Sequence, residues 1–249
     1  MLRVLISLLF LLFASPVLAA DFSEADVRAK MVPAQYENNL DSLVRYLIEP
    51  YKQDDVLKTR VLYAWIVYHI EYDMFKYDVI SEKKRVRNRN KTLRTGDAFK
   101  TRVGVCADIA DLFSRMAKIA GIKEEQISGY AGYDLTMNNF KDKGHAWNAV
   151  YINKKWLFID ATWGMDGDYK TFENVRSAGE HKKEIRRKKY QKNREVDSAR
   201  SIDNKWFLVE PEEFIKTHFP KREKQQHLKR AVDMKKVFRE NLRKAERKK

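Results

Sequence analysis

The sequence predicts an α+β fold in which amphipathic helices come first along the chain and short β-strands follow. Apolar residues recur at helical spacing between Val56 and Ile70, and again between Ile109 and Ala120. Three short runs rich in aromatic and β-branched residues come later, at residues 126–133, 145–152 and 156–160. With 249 residues, 44% of them hydrophobic, the chain can bury a substantial core around these elements.

Residues 1–20 have the pattern of a cleaved signal peptide. Arg3 precedes a run over residues 4–13 that is apolar except for Ser7, and small residues follow where a signal peptidase would cut. The run is shorter than the ~20 apolar residues that a membrane-spanning helix needs, which disfavours the alternative of a membrane anchor. We therefore expect an exported protein, periplasmic or secreted, whose mature chain begins at Ala20 or Asp21.

The next two segments are predicted to be helical. Residues 22–49 form a polar, mostly helical lead-in with Ser23 as the N-cap. A strongly amphipathic helix begins after Asp54 and is expected to end near Tyr72. His69 lies in this helix, and because no second ligand stands at metal-site spacing from it, we interpret it as a structural or surface histidine.

The only cysteine, Cys106, is predicted to lie in the first turn of a helix that ends at Gly121. His145 lies on the second predicted strand and Asp160 at the end of the third. A two-residue turn at residues 153–154 would place these two side chains on one face of the sheet, diagonal to each other, with about 7 Å or less between their Cβ atoms. We therefore expect the carboxylate to reach the imidazole.

Cys106, His145 and Asp160 together favour nucleophilic catalysis. The helix N-terminus would stabilise a thiolate and supply the Cys106 N–H as an oxyanion donor, while His145 would exchange protons and Asp160 would orient it. An exported chain with one cysteine has no internal disulfide. A free thiol in such a chain is more easily explained by a reactive role than by packing. Taken singly, each residue has a plainer explanation: inert packing for the cysteine, a surface or hydrogen-bonded strand histidine, and a strand-end cap for the aspartate.

The C-terminal half is predicted to contain a long insertion and a basic tail. Residues 166–204 alternate polar and basic residues without a sustained period, which indicates a loop with a short helix. Residues 205–209 are predicted as one more strand, and Pro211 as the start of a short helix that ends at Pro220. Residues 221–249 have apolar residues at helical spacing, so this tail either docks on its own domain or lies on a membrane surface.

The net charge of +15 is concentrated in three stretches. Residues 82–94, 182–194 and 221–249 carry 28 Lys and Arg against six acidic residues, so the rest of the chain is mildly acidic. Nucleic-acid-binding domains place their basic face on folded elements, and together with export this argues against nucleic acid as a partner. Two explanations of the basic stretches remain: they attract an anionic surface or partner, or they are simply solvated insertions.

Three motifs give the sequence a family resemblance. The segments at 104–108 (GVCAD), 144–150 (GHAWNAV) and 158–164 (FIDATWG) resemble the transglutaminase-like superfamily, in particular its bacterial branch of kyphoscoliosis-peptidase type. The resemblance is good over residues 55–165 and loose over 205–220. We therefore predict a transglutaminase-like domain over residues 21–220, with a core at 55–165 and basic insertions at 82–94 and 166–204, followed by the basic tail at 221–249.

The resemblance implies a papain-like core, in which the helix that bears Cys106 packs on an antiparallel sheet that carries His145 and Asp160. It also implies acyl transfer from a protein or peptide amide through a thioester, with no cofactor and no metal. Calcium activation is not expected, because the chain has no acidic loop that resembles a calcium site. The basic insertions depart from the family pattern, and the resemblance leaves cross-linking, deamidation and proteolysis open.

Two hypotheses of different classes follow. The first is an exported cysteine acyltransferase or hydrolase with Cys106, His145 and Asp160 as its catalytic residues. The second is a noncatalytic binding or assembly module, whose basic insertions and tail contact an anionic surface. A buried Cys106, or a His145 directed away from it, would favour the second.

Overall fold

The computed structural model describes residues 21–81, 97–166, 175–191, 196 and 200–247. The predicted signal peptide at 1–20 and the basic stretch at 82–94 lie outside these ranges. The helices of the described ranges are α1 Ser23–Lys30, α2 Leu40–Ile48, α3 Asp55–His69, α4 Met74–Ile80, α5 Ala98–Thr101, α6 Cys106–Ala120, α7 Ala178–Lys189, α8 Pro211–Phe214 and α9 Met234–Glu246. The strands are β1 Glu71–Tyr72, β2 Val103–Gly104, β3 Glu124–Ala131, β4 Gly144–Ile152, β5 Lys155–Ile159, β6 Met165–Asp166, β7 Ser201–Ile202 and β8 His218–Pro220. Among the described helices, none has the length and apolar character that crossing a membrane requires.

Helix α3 is the central element of the main core. Its residues from Val61 to Val67 are buried on all sides, between α1, α2 and α6. It ends at His69 rather than near Tyr72, because Ile70 is extended (φ −104°, ψ 137°) and leads into the short parallel pairing of β1 with β2. His69 bonds the Ala29 carbonyl through Nε2 at 2.9 Å, which confirms its structural interpretation.

The lead-in is helical as predicted, but Ser23 is not its N-cap. Ser23 is the first helical residue of α1, and its N–H donates to the side chain of Asp21 at 2.9 Å. Asp26 of α1 then pairs with Arg60 of α3 at 2.6 Å, and the Arg60 side chain is only 2% exposed. This buried ion pair ties the lead-in to the core.

A four-stranded antiparallel sheet with the order β5-β4-β3-β8 packs against α6, which confirms the predicted α+β fold. Helix α6 begins at Cys106 and ends before Gly121, whose φ of 70° is the left-handed conformation that glycine adopts readily. The turn at 153–154 has positive φ at both residues, as in a type I′ hairpin. It sets the register that the sequence predicted, since Asn148 pairs with Ile159 and Asp160 follows directly.

Two predictions for the region after the insertion are wrong. Residues 204–206 form a 3-10 turn, and from the predicted strand 205–209 only Val209 makes a bridge, to Phe158. The helix that opens at Pro211 ends at Phe214 rather than at Pro220, and residues 218–220 form β8 on the edge of the sheet. Each of these two segments, 204–206 and 218–220, is only three residues long, which is too short for a periodic signal in the sequence. Pairing with distant residues therefore decides their conformation.

A helix of the insertion and a helix of the tail both dock on the domain. Helix α7 is twelve residues long, longer than the short helix expected in this insertion, and buries His181 and Ile185. In the tail, the helix covers only Met234–Glu246, and Phe238 is fully buried against Leu135 and Phe219. Of the two alternatives for the tail, docking on its own domain is the one observed for this helix.

Candidate active site

Cys106 is the first residue of α6 and lies directly after β2. Its side chain is partly exposed and forms no disulfide. The N–H groups of the first helical turn have no acceptor within the helix and point towards the thiol end of the element. The predicted position of Cys106, in the first turn of a helix, is therefore confirmed. This position places the thiol at the positive end of the helix dipole and leaves it accessible to solvent.

The start of α6 is stabilised by Asp108. One of its carboxylate oxygens accepts the Val105 N–H at 2.9 Å and also contacts Lys76 Nζ at 2.7 Å. Gly104 makes this close approach possible, since a Cβ at this position would lie 2.8 Å from the Asp108 Cβ. Lys76 thus balances the negative charge that Asp108 brings to the neighbourhood of the thiol.

His145 and Asp160 meet as the strand alternation predicted. His145 Nε2 lies 2.6 Å from Asp160 Oδ2, and the two side chains are 8% and 1% exposed. The other carboxylate oxygen of Asp160 accepts the N–H groups of Thr162 and Trp163 at 2.9 and 3.1 Å. These bonds belong to the tight turn after β5 and fix the direction of the carboxylate.

His145 lies close enough to the side chain of Cys106 for the sulfur to affect the pKa of the imidazole. Because its Nε2 binds Asp160, Nδ1 is the ring nitrogen left for the thiol. Burial alone would lower the pKa of His145, but the charge and hydrogen bond of Asp160, with a smaller contribution from Cys106, raise it to about 10. Burial would conversely raise the pKa of Asp160, and His145 with the help of His218 holds it well below the usual carboxyl range. The pair is therefore an imidazolium and a carboxylate at neutral pH.

A second histidine contacts the same carboxylate. His218 of β8 is fully buried, its Nε2 lies 3.1 Å from Asp160 Oδ2, and its Nδ1 lies 2.8 Å from Thr217 Oγ1. Burial, together with the positive charge of His145, lowers the pKa of His218 to about 4, although Asp160 acts in the opposite direction. Neutral His218 therefore donates from Nε2 to Asp160 and accepts from Thr217 at Nδ1.

Sequence reasoning missed the contact between His218 and Asp160. The two are 58 residues apart, and the prediction had placed His218 in a helix rather than on a strand beside β3. The signal available was chemical: a histidine next to Phe219 and near Phe214 and Ile215 requires a polar partner if it is buried with them. That signal names no partner.

The ligand atoms of His145, Asp160 and His218 lie within 4.8 Å of one another, which is close enough to hold a metal ion. However, the carboxylate oxygen is 2.6 and 3.1 Å from the two Nε2 atoms, which are hydrogen-bond distances. Ligands of a tetrahedral zinc ion at ~2.0–2.1 Å stand about 3.3 Å apart, so an ion would have to spread the trio. The trio fits a hydrogen-bonded network better than a metal centre.

An open cleft of about 540 Å³ runs beside His145. One wall comes from β1 and α4, and the other from the loop after β3, the start of β4 and the turn after β5. Aromatic rings dominate both walls. A substrate in this cleft would lie next to the imidazole that contacts Cys106.

Comparisons with known proteins agree with this arrangement. Residues 41–161, a range that contains all three predicted site residues, match the model of a family described as the transglutaminase-like superfamily. This part of the chain belongs to that superfamily. The chain is 33% identical over 146 residues to kyphoscoliosis peptidase of Homo sapiens, covering 57% of this chain and 20% of that protein. It is 28% identical over 240 residues to hillarin of Drosophila melanogaster, covering 94% of this chain and 25% of that protein.

Among solved structures, the periplasmic domain of TgpA from Pseudomonas aeruginosa is similar, with a TM-score of 0.36 and 19% identity over 68% of this chain and 53% of that one. The chain spans about a fifth to a quarter of the length of the two curated relatives. The predicted resemblance to the transglutaminase-like superfamily is confirmed for residues 41–161. His218 lies beyond the matched family segment.

Proposed function

We propose that this chain is an exported cysteine acyltransferase or hydrolase, which acts on amide bonds of proteins or peptides through a thioester. The observation that carries the proposal is the arrangement of three side chains: Cys106 lies at a helix N-terminus, His145 lies beside it, and Asp160 lies 2.6 Å from His145. A partly exposed thiol that contacts an imidazolium favours catalysis over the alternative of a noncatalytic binding module.

In the first half of the reaction, Cys106 Sγ attacks the carbonyl carbon of the amide. The carbonyl oxygen takes up negative charge, and the Cys106 N–H at the start of α6 is placed to donate to it. The C–N bond then breaks, His145 gives its proton to the departing nitrogen, and ammonia or an amine leaves. The acyl group remains on sulfur as a thioester.

In the second half, neutral His145 removes a proton from the acceptor, which is water or a primary amine. The acceptor attacks the thioester carbonyl, the C–S bond breaks, and the thiolate–imidazolium pair is restored. Asp160 keeps its charge throughout, because its role is to orient the ring and to stabilise the imidazolium.

Export is proposed on sequence grounds alone, from the charged and apolar pattern of residues 1–20. N-terminal sequencing of the protein secreted by cells that express the full chain would find Ala20 or Asp21 as the first residue. A retained Met1 would contradict the proposal.

Thiol alkylation tests the activation of Cys106. With iodoacetamide at pH 6, we expect His145→Ala to react at least ~10-fold more slowly than the wild type, because an unassisted thiol is almost fully protonated at this pH. Asp160→Asn should react at an intermediate rate. Intact-mass spectrometry over time gives the rates, and Cys106→Ala sets the background.

His227→Ala is the matched control, since His227 also pairs with a carboxylate, Glu125, at 2.9 Å. It should react like the wild type. Equal rates for the wild type and His145→Ala would contradict the proposed mechanism.

A further inference from the structure

The cleft beside His145 is lined mainly by aromatic side chains. Besides His145, the large side chains that line it are mostly aromatic: Tyr72, Met74, Tyr77, Tyr133, Trp163 and Trp206. Tyr133 is 69% exposed, yet its ring is held in a stack on Trp163 with 5.7 Å between ring centroids. Trp163 in turn meets Trp206 edge-on at 4.8 Å. An exposed aromatic surface that is held in place in this way is typical of a binding site.

The charged groups of the cleft point to a neutral occupant. Lys143 and Asp134 lie 3.9 Å apart and largely offset each other. Lys205 lies over both Tyr133 and Trp206, with Nζ 5.1 Å from each ring centroid. Two of the ring faces that could attract the ammonium group of a substrate lysine, those of Tyr133 and Trp206, therefore already have a cation beside them.

The cleft reaches one of the reacting groups and comes close to another. His145 lines it, and Tyr72, which also lines it, pairs with Gly104, two residues before Cys106. A peptide whose carbonyl carbon approaches Cys106 would thus have a neighbouring side chain within the cleft. The volume of about 540 Å³ is within the range of pockets that enclose small ligands.

We propose that this cleft is an acyl-donor subsite, which binds an aromatic or long aliphatic side chain next to the amide that Cys106 attacks. The inference rests on the proposed function, because it takes the occupant to be a peptide substrate. It goes further by naming the substrate class: peptides with an apolar residue beside the scissile amide, rather than peptides with a basic one.

Gly144 offers a way to test the subsite. It lines the cleft on the residue before His145, and a Cβ at this position would meet no atom within 4 Å. The first atom of a side chain introduced there would therefore displace no neighbour. Gly179 of α7 is a matched control, because it is exposed, a Cβ there would meet only Ser177 Oγ at 3.9 Å, and it does not line the cleft.

The experiment measures peptide binding to Cys106→Ala protein, which cannot react. Three blocked tripeptide amides have Phe, Ser or Lys between two glycines, and calorimetric titration gives their affinities. We expect the Phe peptide to bind at least ~10-fold more tightly than either of the others, since burial of an aromatic side chain accounts for such a factor. Equal affinity for the Ser peptide, or tighter binding of the Lys peptide, would overturn the proposal.

Three variants on the same background locate the effect. Gly144→Leu should abolish the preference for Phe, Tyr133→Ala should reduce it several-fold, and Gly179→Leu should leave it unchanged. Tyr133→Ala removes an exposed ring, so it tests the cleft even if Gly144→Leu fails to fold. A Phe preference that survives in both cleft variants would place the binding elsewhere.

Binding and alkylation separate the two proposals. Peptide binding by Cys106→Ala does not depend on thiol activation, and alkylation by iodoacetamide does not depend on the cleft. A failed alkylation test with an intact Phe preference would overturn the proposed function alone, and the reverse result would overturn the subsite alone.

Discussion

Asp160 is the residue on which the network depends, because one of its oxygens accepts hydrogen bonds from both His145 and His218. The pKa of Asp160 is lowered in the folded protein, so its contribution to stability is present above the ordinary carboxyl pKa and is lost as the pH falls. The pKa of His145 is raised to about 10, so its contribution is present below about 6.5 and is lost as the pH rises towards 10. The pair stabilises the fold most in weakly acidic solution.

His218 acts on the proposed reaction through Asp160, as a positioning residue. In His218→Phe the carboxylate loses one donor, and because a hydrogen bond to a charged group contributes ~1.5–3 kcal/mol, the pKa of Asp160 should rise by about one to two units. The pH below which iodoacetamide reactivity disappears should therefore move upward. A pH profile of the alkylation rate, from pH 3 to pH 8, measures this shift.

Two further variants distinguish positioning from simple packing. Thr217→Val removes the partner of His218 Nδ1 and should give a smaller shift in the same direction, while His218→Gln, which can still donate, should restore part of the profile. If His218→Phe lowers the melting temperature but leaves the pH profile unchanged, His218 has a structural role only.

At the residue scale, the sequence predicted what depended on local rules. Cys106 at a helix start, and His145 and Asp160 on one face of a hairpin, follow from the 3.6- and 2-residue periods and from a two-residue turn. His218 could not be placed in this way. Its partner is set by the pairing of β8 with β3, and no local pattern predicts that pairing.

At the scale of elements, the start of α6 is held by a lysine on α4. Asp108 caps the helix but also brings negative charge to its first turn, and Lys76 at 2.7 Å offsets that charge. The ion pair is mostly shielded from solvent, with side chains 11% and 26% exposed, so screening by salt is weak. Helix α4 therefore holds the N-terminus of α6 through Lys76 and also lines the cleft.

Lys76→Met should slow alkylation of Cys106 several-fold at pH 6, because an uncompensated carboxylate near the thiol disfavours the thiolate. The double variant Lys76→Met with Asp108→Asn removes both charges and should recover most of the rate. Rates measured for the two single variants and the double variant form a cycle. A double variant that reacts as slowly as Lys76→Met would mean that Lys76 acts through packing instead of charge.

The elements that the sequence predicted correctly are long or have a strong turn signal. Helices α3 and α6 have sustained apolar periods, and the β4–β5 hairpin is fixed by its turn. The wrong predictions, at 205–209 and 211–220, concern segments of only a few residues. There the isolated bridge of Val209 and the pairing of β8 with β3 decide the conformation.

At the scale of the whole molecule, buried side chains attach the insertion and the tail to the domain. His181 of α7 lies 2.8 Å from Asp73 just before α4, and Phe238 of α9 fills a cluster over β8. Both segments are strongly basic, and their composition predicted either solvated segments or segments bound to an anionic surface. A few buried side chains dock each helix, and composition averages conceal such anchors.

The central claim is that the thiol of Cys106 carries the acyl group. The most direct test is to mix the protein with an excess of the blocked Phe peptide as its 4-nitrophenyl ester, quench in acid within the first turnovers, and measure the intact mass. The account predicts a mass increase equal to the peptidyl acyl group, located on Cys106 by digestion, reversed by hydroxylamine and absent in Cys106→Ala. A protein that turns over the ester with no adduct on Cys106, or whose adduct forms equally in Cys106→Ala, would contradict it.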